Sequence, residues 1–167
     1  MKTNVAKIVL VFILGICALP VCAQSSSDQM LLIASKLGKQ ASEIGGIVTL
    51  LSQHAQQTKN GEERLSVVLA GARLAHIGSI FSLEADLIGS SQHIKESEKA
   101  RYYKYRVAQM RRSRNLISIL SKDVVGVRDF TKGREVQALL TQGLENMKAG
   151  VDLLELGAVG LSAHTAR

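Results

Sequence analysis

An all-α fold, an up-down-up-down four-helix bundle, is what this sequence predicts, and three observations carry that expectation. Apolar residues recur every seven positions over long stretches. About half of the residues beyond position 23 are Leu, Ala, Gln, Lys, Arg or Glu, which lose little side-chain freedom in a helix. The only proline is Pro20, and there are just three Tyr, three Phe and no Trp, a composition poor in strand formers.

The first residues read as an export signal of the bacterial kind. Lys2 and Lys7 give a positive start, Ile8 to Leu19 form an uninterrupted apolar run, and Pro20 breaks the helix before Val21-Cys22-Ala23. Compact side chains at positions 21 and 23 suit signal peptidase, with cleavage expected between Ala23 and Gln24. An uncleaved anchor is the competing reading, but a spanning helix needs about 20 apolar residues. A lipid anchor on Cys22 is disfavoured by Val21 before it. Residues 1–23 are therefore expected to be a signal peptide and 24–167 a single domain, periplasmic or secreted.

Cleavage changes the chemistry available. Cys17 and Cys22 both leave with the signal, so the mature chain has no disulfide, thiolate metal site or cysteine nucleophile. Losing Lys2 and Lys7 lowers the 21 basic residues to 19 against 14 acids, and the net charge from +7 to +5. That charge favours anionic surfaces, while export makes nucleic acid a poor partner.

Four helices follow in order. The first is expected from Asp28 to Gln57. The second runs from Gly61 to Ile88, after Thr58-Lys59-Asn60, with Asn60 and Glu63 spaced as a capping box. Gly89-Ser90-Ser91 precedes a third from Gln92 to Val127. Asp129-Phe130-Thr131 separates it from a fourth, Lys132 to Ala163. Connections this short make consecutive helices antiparallel.

Heptads set the expected faces. Met30, Leu37, Ile44 and Leu51 form the large column of the first helix, with Gly38, Gly45 and Ser52 as a small one. Val67, Leu74, Phe81 and Ile88 accompany Gly71, Gly78 and Ala85 in the second. Leu140, Met147, Leu154 and Leu161 accompany Gly143, Gly150 and Gly157 in the fourth. Sustained seven-residue spacing means left-handed supercoiled packing. Each helical glycine costs about 1 kcal/mol against alanine, so these columns are expected to be seams of close helix approach. Pairing within the bundle is the first reading. Pairing with another chain, as a homo-oligomer or with lipid-embedded helices, is the second. Arg64, Arg73, Glu84 and Asp86 argue against the second helix as a membrane span.

The chain's most distinctive chemistry lies in the basic segment 95–114. Lys95, Lys99, Arg101, Lys104, Arg106, Arg111, Arg112 and Arg114 face only Glu96 and Glu98, and the segment holds all three tyrosines, Tyr102, Tyr103 and Tyr105. Cations beside aromatic faces suit anionic partners such as lipid headgroups or polyanions. Read at about 100° per residue the charges surround the helix, which suggests a solvated or overhanging first half. The candidate binding residues are Lys95, Lys99, Arg101, Tyr102, Lys104, Tyr105, Arg111, Arg112 and Arg114.

Catalytic and metal chemistry find little support. No Glu-x-x-His pair occurs, Glu84 and Asp86 face different ways, and no nucleophile elbow is present. His54 and His93 sit near helix ends, and His76 aligns with Leu69 and Leu83 as an interior or boundary histidine. No catalytic residue and no metal ligand is expected.

Met30 begins the large column of the first helix, and His164 continues the glycine column of the fourth by seven residues. In the predicted topology both stand at one end. This pair resembles the axial ligands of the soluble periplasmic b-type cytochromes, exported four-helix bundles with an early Met and a late His. The resemblance implies haem b held by Met30 and His164 and an electron-carrier role. The residues themselves point first to a non-enzymatic binding protein of the bacterial envelope, without a cofactor. Its partner would be an anionic surface, with peripheral membrane contact, or an envelope protein.

Overall fold

Seven-residue apolar spacing is realised as four long α-helices. The computed structural model describes residues 26–165, with side chains from 27 to 163, so the expected signal peptide lies outside the described residues. The helices are α1 (Ser26–Gln57), α2 (Gly61–Ser90), α3 (Glu96–Phe130) and α4 (Arg134–Thr165), with a 3₁₀ turn at Ser91–His93. No strand occurs among the described residues. Each helix packs on the next, and α4 returns beside α1 to close the bundle.

The helix ends follow local hydrogen bonding. Asn60 is extended, and its Oδ1 accepts the amides of Glu62 and Glu63 at 3.0 and 3.3 Å, capping α2. Helix α3 starts at Glu96, later than expected from Gln92, because the 3₁₀ turn runs into extended backbone at Ile94 and Lys95. It also passes Val127 and ends at Phe130. Thr131 is the residue that turns extended, with its amide and hydroxyl both donating to the Val127 carbonyl.

The large columns meet in one core. Leu37, Ile44 and Leu51 of α1 and Leu74 and Phe81 of α2 lie there with Met110 and Ile117 of α3 and Leu140 and Leu154 of α4. Contrary to the expected overhang, the first half of α3 joins this core through Arg106, Val107 and Met110, with Tyr103 packed against it.

The glycine columns divide into three kinds. On α4 they are sockets for side chains: a Cβ on Gly143 would stand 2.9 Å from Leu74 Cδ1, and one on Gly150 would overlap the Phe81 ring. Both partners reach across the bundle from α2. On α2 the expected close approach occurs at Gly78, where a Cβ would sit 3.3 Å from Ile44 Cγ2 and 3.5 Å from the Ala41 carbonyl oxygen. On α1 the expectation fails, since a Cβ at Gly38 or Gly45 would meet nothing within 4 Å. These two glycines line an open groove of about 440 Å³ with Ala41, Ser42, Ala75 and Ser79. The seam forms within this groove, where Gly78 of α2 meets Ile44 and Ala41 of α1.

These differences give substitutions of opposite sign. Gly150→Ala should destabilise the protein by about 1–3 kcal/mol, because the Phe81 ring must leave its socket. Gly45→Ala should stabilise it by about 0.5–1 kcal/mol, because the new methyl meets open space and the unfolded chain loses freedom. Urea unfolding of the two variants tests the pair; equal shifts would overturn the distinction between socket and groove.

Candidate anionic-partner interface

Positions along α3 face in directions set by about 100° per residue, and the buried Met110, Ile117 and Val124 fix which side is inward. Arg101, Lys104, Tyr105, Arg111 and Arg112 lie on the opposite side and are all exposed. Lys122 continues this outward face three turns beyond Arg111. Between positions 101 and 122 the chain has no Asp or Glu. The exposed cations therefore form one stripe and do not surround the helix as counted from sequence.

The remaining basic residues of the segment have other occupations. Arg106 is 2% exposed and pairs with Glu84 of α2, itself 3% exposed. Ser113 donates to the other carboxylate oxygen of Glu84 at 2.7 Å, so both oxygens are satisfied. Arg114 pairs with Glu155 of α4 at a half-exposed position. Lys99 pairs with Glu96 one turn earlier, and that hydrogen bond holds its ammonium above the ordinary lysine value. Lys95 is exposed at the start of α3.

The tyrosines also separate. Tyr102 is half-buried, and its hydroxyl donates to the Leu87 carbonyl in the last turn of α2 at 3.0 Å, satisfying a helix-end acceptor. Tyr103 meets Tyr102 edge to face, with centroids 6.2 Å apart, and packs on the core. Only Tyr105 stands outward, 58% exposed, accepting a hydrogen bond from Gln109. Of the residues expected to bind an anionic partner, Arg101, Lys104, Tyr105, Arg111 and Arg112 thus share one outward face. Tyr102, Lys99 and Arg114 serve contacts within the fold.

Two additions were not singled out from sequence. Lys122 falls outside the dense basic run. Lys148 of α4 joins Arg111 and Arg114 around an open cleft of about 580 Å³ between α3 and α4, which extends the cationic surface onto a second helix. Its sequence signal was absent because α4 as a whole is not basic.

At the end of the bundle where α3 begins, Met30 is buried with its methyl group against Gly160, while the side chain of His164 lies outside the described residues. The recess beside Met30 measures about 140 Å³, well under the roughly 300–1,000 Å³ usual for cofactor pockets. His76 is exposed, not interior, because the line it shares with Leu69 and Leu83 points outward. Among the described residues no cluster of three or more His, Cys, Asp or Glu could hold a metal ion.

Comparison with family models, with curated proteins and with solved structures finds no match.

The buried Glu84–Arg106 pair yields a stability test. Arg106→Met should cost about 3–5 kcal/mol, because it leaves the Glu84 carboxylate buried without its cation. Adding Glu84→Leu should recover most of that loss. A double-mutant cycle by chemical denaturation checks this; additive losses would mean that the two side chains are not coupled.

Proposed function

We propose that this protein is an exported, non-enzymatic helical-bundle protein of the bacterial envelope that binds an anionic partner surface through the outward face of α3. The supporting observation is the stripe of Arg101, Lys104, Arg111, Arg112 and Lys122, uninterrupted by acids over 101–122. Its rise of about 1.5 Å per residue spreads these charges over about 30 Å. Charges of one sign this close raise the local concentration of anions and steer their approach.

The buried network explains how a helix so rich in cations packs at all. Glu84 neutralises the one arginine that points inward. Arg101, Arg111 and Arg112 face water. Tyr105 adds an aromatic surface within the stripe, where guanidinium groups and a ring together suit phosphate- or sulfate-bearing partners. The fold thus supplies a rigid support, since α3 is anchored on both sides by ion pairs to α2 and α4.

Reversing Arg101, Arg111 and Arg112 to Glu should weaken binding to a soluble sulfated polysaccharide at least 100-fold at low salt. This follows from about 1 kcal/mol per cation near an anionic surface, with each reversal counting more than a deletion. Reversing the exposed Lys36 and Lys39 of α1 should have a much smaller effect. Equal losses in both variants would show that net charge, and not the α3 face, governs the interaction. Undiminished binding by the α3 variant would overturn the proposal.

A further inference from the structure

The outer surface shared by α2 and α3 carries more than charge. On α2, Leu65, Leu69 and Leu83 are 70%, 45% and 58% exposed. Their spacing places them on one side, opposite the buried Val67, Leu74 and Phe81. On α3, Ile119 is 62% and Phe130 88% exposed, and Leu116 is also open. These share a side with Tyr105, Arg101 and Arg112.

The two rows are neighbours. Arg73 of α2 and Asp123 of α3 form an ion pair at 2.8 Å across the outer edge of the helix seam. Leu69 lies one turn to one side of this pair and Ile119 one turn to the other. Leu65 and Phe130 flank the α2–α3 end where Ser66 and Val127 line a common recess. The result is an apolar band with arginines toward one end, about 27 Å long from Leu65 to Leu83 at the helical rise.

We propose that this two-helix face docks on an anionic lipid bilayer. The inference rests on the anionic-partner reading above and names the partner. A soluble polyanion would engage the cations but leave Leu65, Leu69, Ile119 and Phe130 in water. A second copy placed face to face would bring Arg101 and Arg112 against like charges if parallel, and against the apolar end at Leu65 and Phe130 if antiparallel. A bilayer surface satisfies both sets at once: leucine, isoleucine and phenylalanine enter the acyl boundary while arginines meet headgroup phosphates. The acids of the face do not oppose this, since Asp123 is paired with Arg73 and Asp129 with Arg128. Glu62 and Glu98 stand at its two ends.

Helix α2 shows the same economy. The segment Gly61–His93 is long and apolar enough to cross a membrane by length and composition, yet 44% of its most apolar window is buried inside the bundle. Its apolar residues serve two directions, the core and the outer face. Buried Glu84, paired to Arg106, holds α2 beside α3. The helix lies along a bilayer in this arrangement and does not thread it.

The test uses the protein as exported and purified from the cell, so that the apolar start of the chain does not itself bind lipid. Flotation with phosphatidylglycerol-containing vesicles should recover the parent protein, and vesicles of phosphatidylcholine alone should recover far less. The variant Leu65→Ser, Ile119→Ser, Phe130→Ser should lose at least 10-fold in vesicle affinity while binding the sulfated polysaccharide as the parent does. Its melting temperature should stay near that of the parent, because all three side chains are exposed. The single variant Phe130→Trp, in a chain without other tryptophan, should show blue-shifted emission on anionic vesicles. Vesicle binding unaffected by the triple substitution, or unshifted emission from the Phe130→Trp variant, would overturn the lipid assignment. Polysaccharide binding without vesicle binding would overturn it too, leaving the anionic-partner reading intact. Binding to neither probe would overturn both.

Discussion

The Phe81 ring seated over Gly150 joins two helices that are diagonal in the bundle, and the orientation of α2 depends on it. A ring that must enter a socket without a Cβ allows α2 little rotation about its axis. With Phe81 and Leu74 turned to α4, the position three residues on from Phe81 must turn toward α3. That position is Glu84. The same rotation sends Leu65, Leu69, His76 and Leu83 to the outside. One steric requirement therefore determines both the buried polar contact and the exposed apolar row. The glycines that permit it cost about 1 kcal/mol each in helix propensity, which the ring's burial exceeds.

Electrostatics follow from that geometry. A carboxylate turned into a helix interface is costly to desolvate, and it is retained only with a cation and further donors around it. Arg106 and Ser113 supply both, two turns apart on one side of α3. Apolar side chains in their place would hold α2 and α3 together at least as well. The polar set instead defines which turn of α3 meets which turn of α2, since a slip of one turn would separate Glu84 from both partners. Arg73 with Asp123 and Arg114 with Glu155 repeat the matching at exposed positions, where each contributes at most about 1 kcal/mol.

The four helices and their core columns were legible in the sequence because a seven-residue apolar period has one stable outcome in water. Leu37, Ile44, Leu74, Phe81, Leu140 and Leu154 all occupy the interior that their spacing implies. The glycines were less legible. Spacing locates a column, but not whether it receives a backbone, as at Gly78, a side chain, as at Gly150, or nothing, as at Gly45. The same limit applied to the basic segment. Arg106 falls near the line of Met110, Ile117 and Val124 while Arg112 faces away, but spacing alone does not supply the Glu84 partner on another helix that lets Arg106 be buried. His76 differs from its expected interior place because alignment with Leu69 and Leu83 marks a core only on a helix that is apolar on one side, and α2 is apolar on two.

That double apolarity distinguishes α2 from its neighbours. Helices α1 and α4 place lysines or acids among their exposed residues, and α3 places arginines there; α2 from Leu65 to Leu83 exposes leucine, valine, alanine, serine and a histidine. Were stability of the bundle the sole requirement, polar residues at Leu65, Leu69 and Leu83 would serve equally and would keep the surface wet. Exposed leucines contribute almost nothing to folding, since they remain in contact with water, and grouped together they raise the risk of association. Their placement beside the one helix face that carries unopposed cations is the arrangement expected of a surface whose partner is apolar beneath and anionic on top. Core packing does not require that adjacency. The proposed docking of the α2–α3 face on a bilayer would account for it.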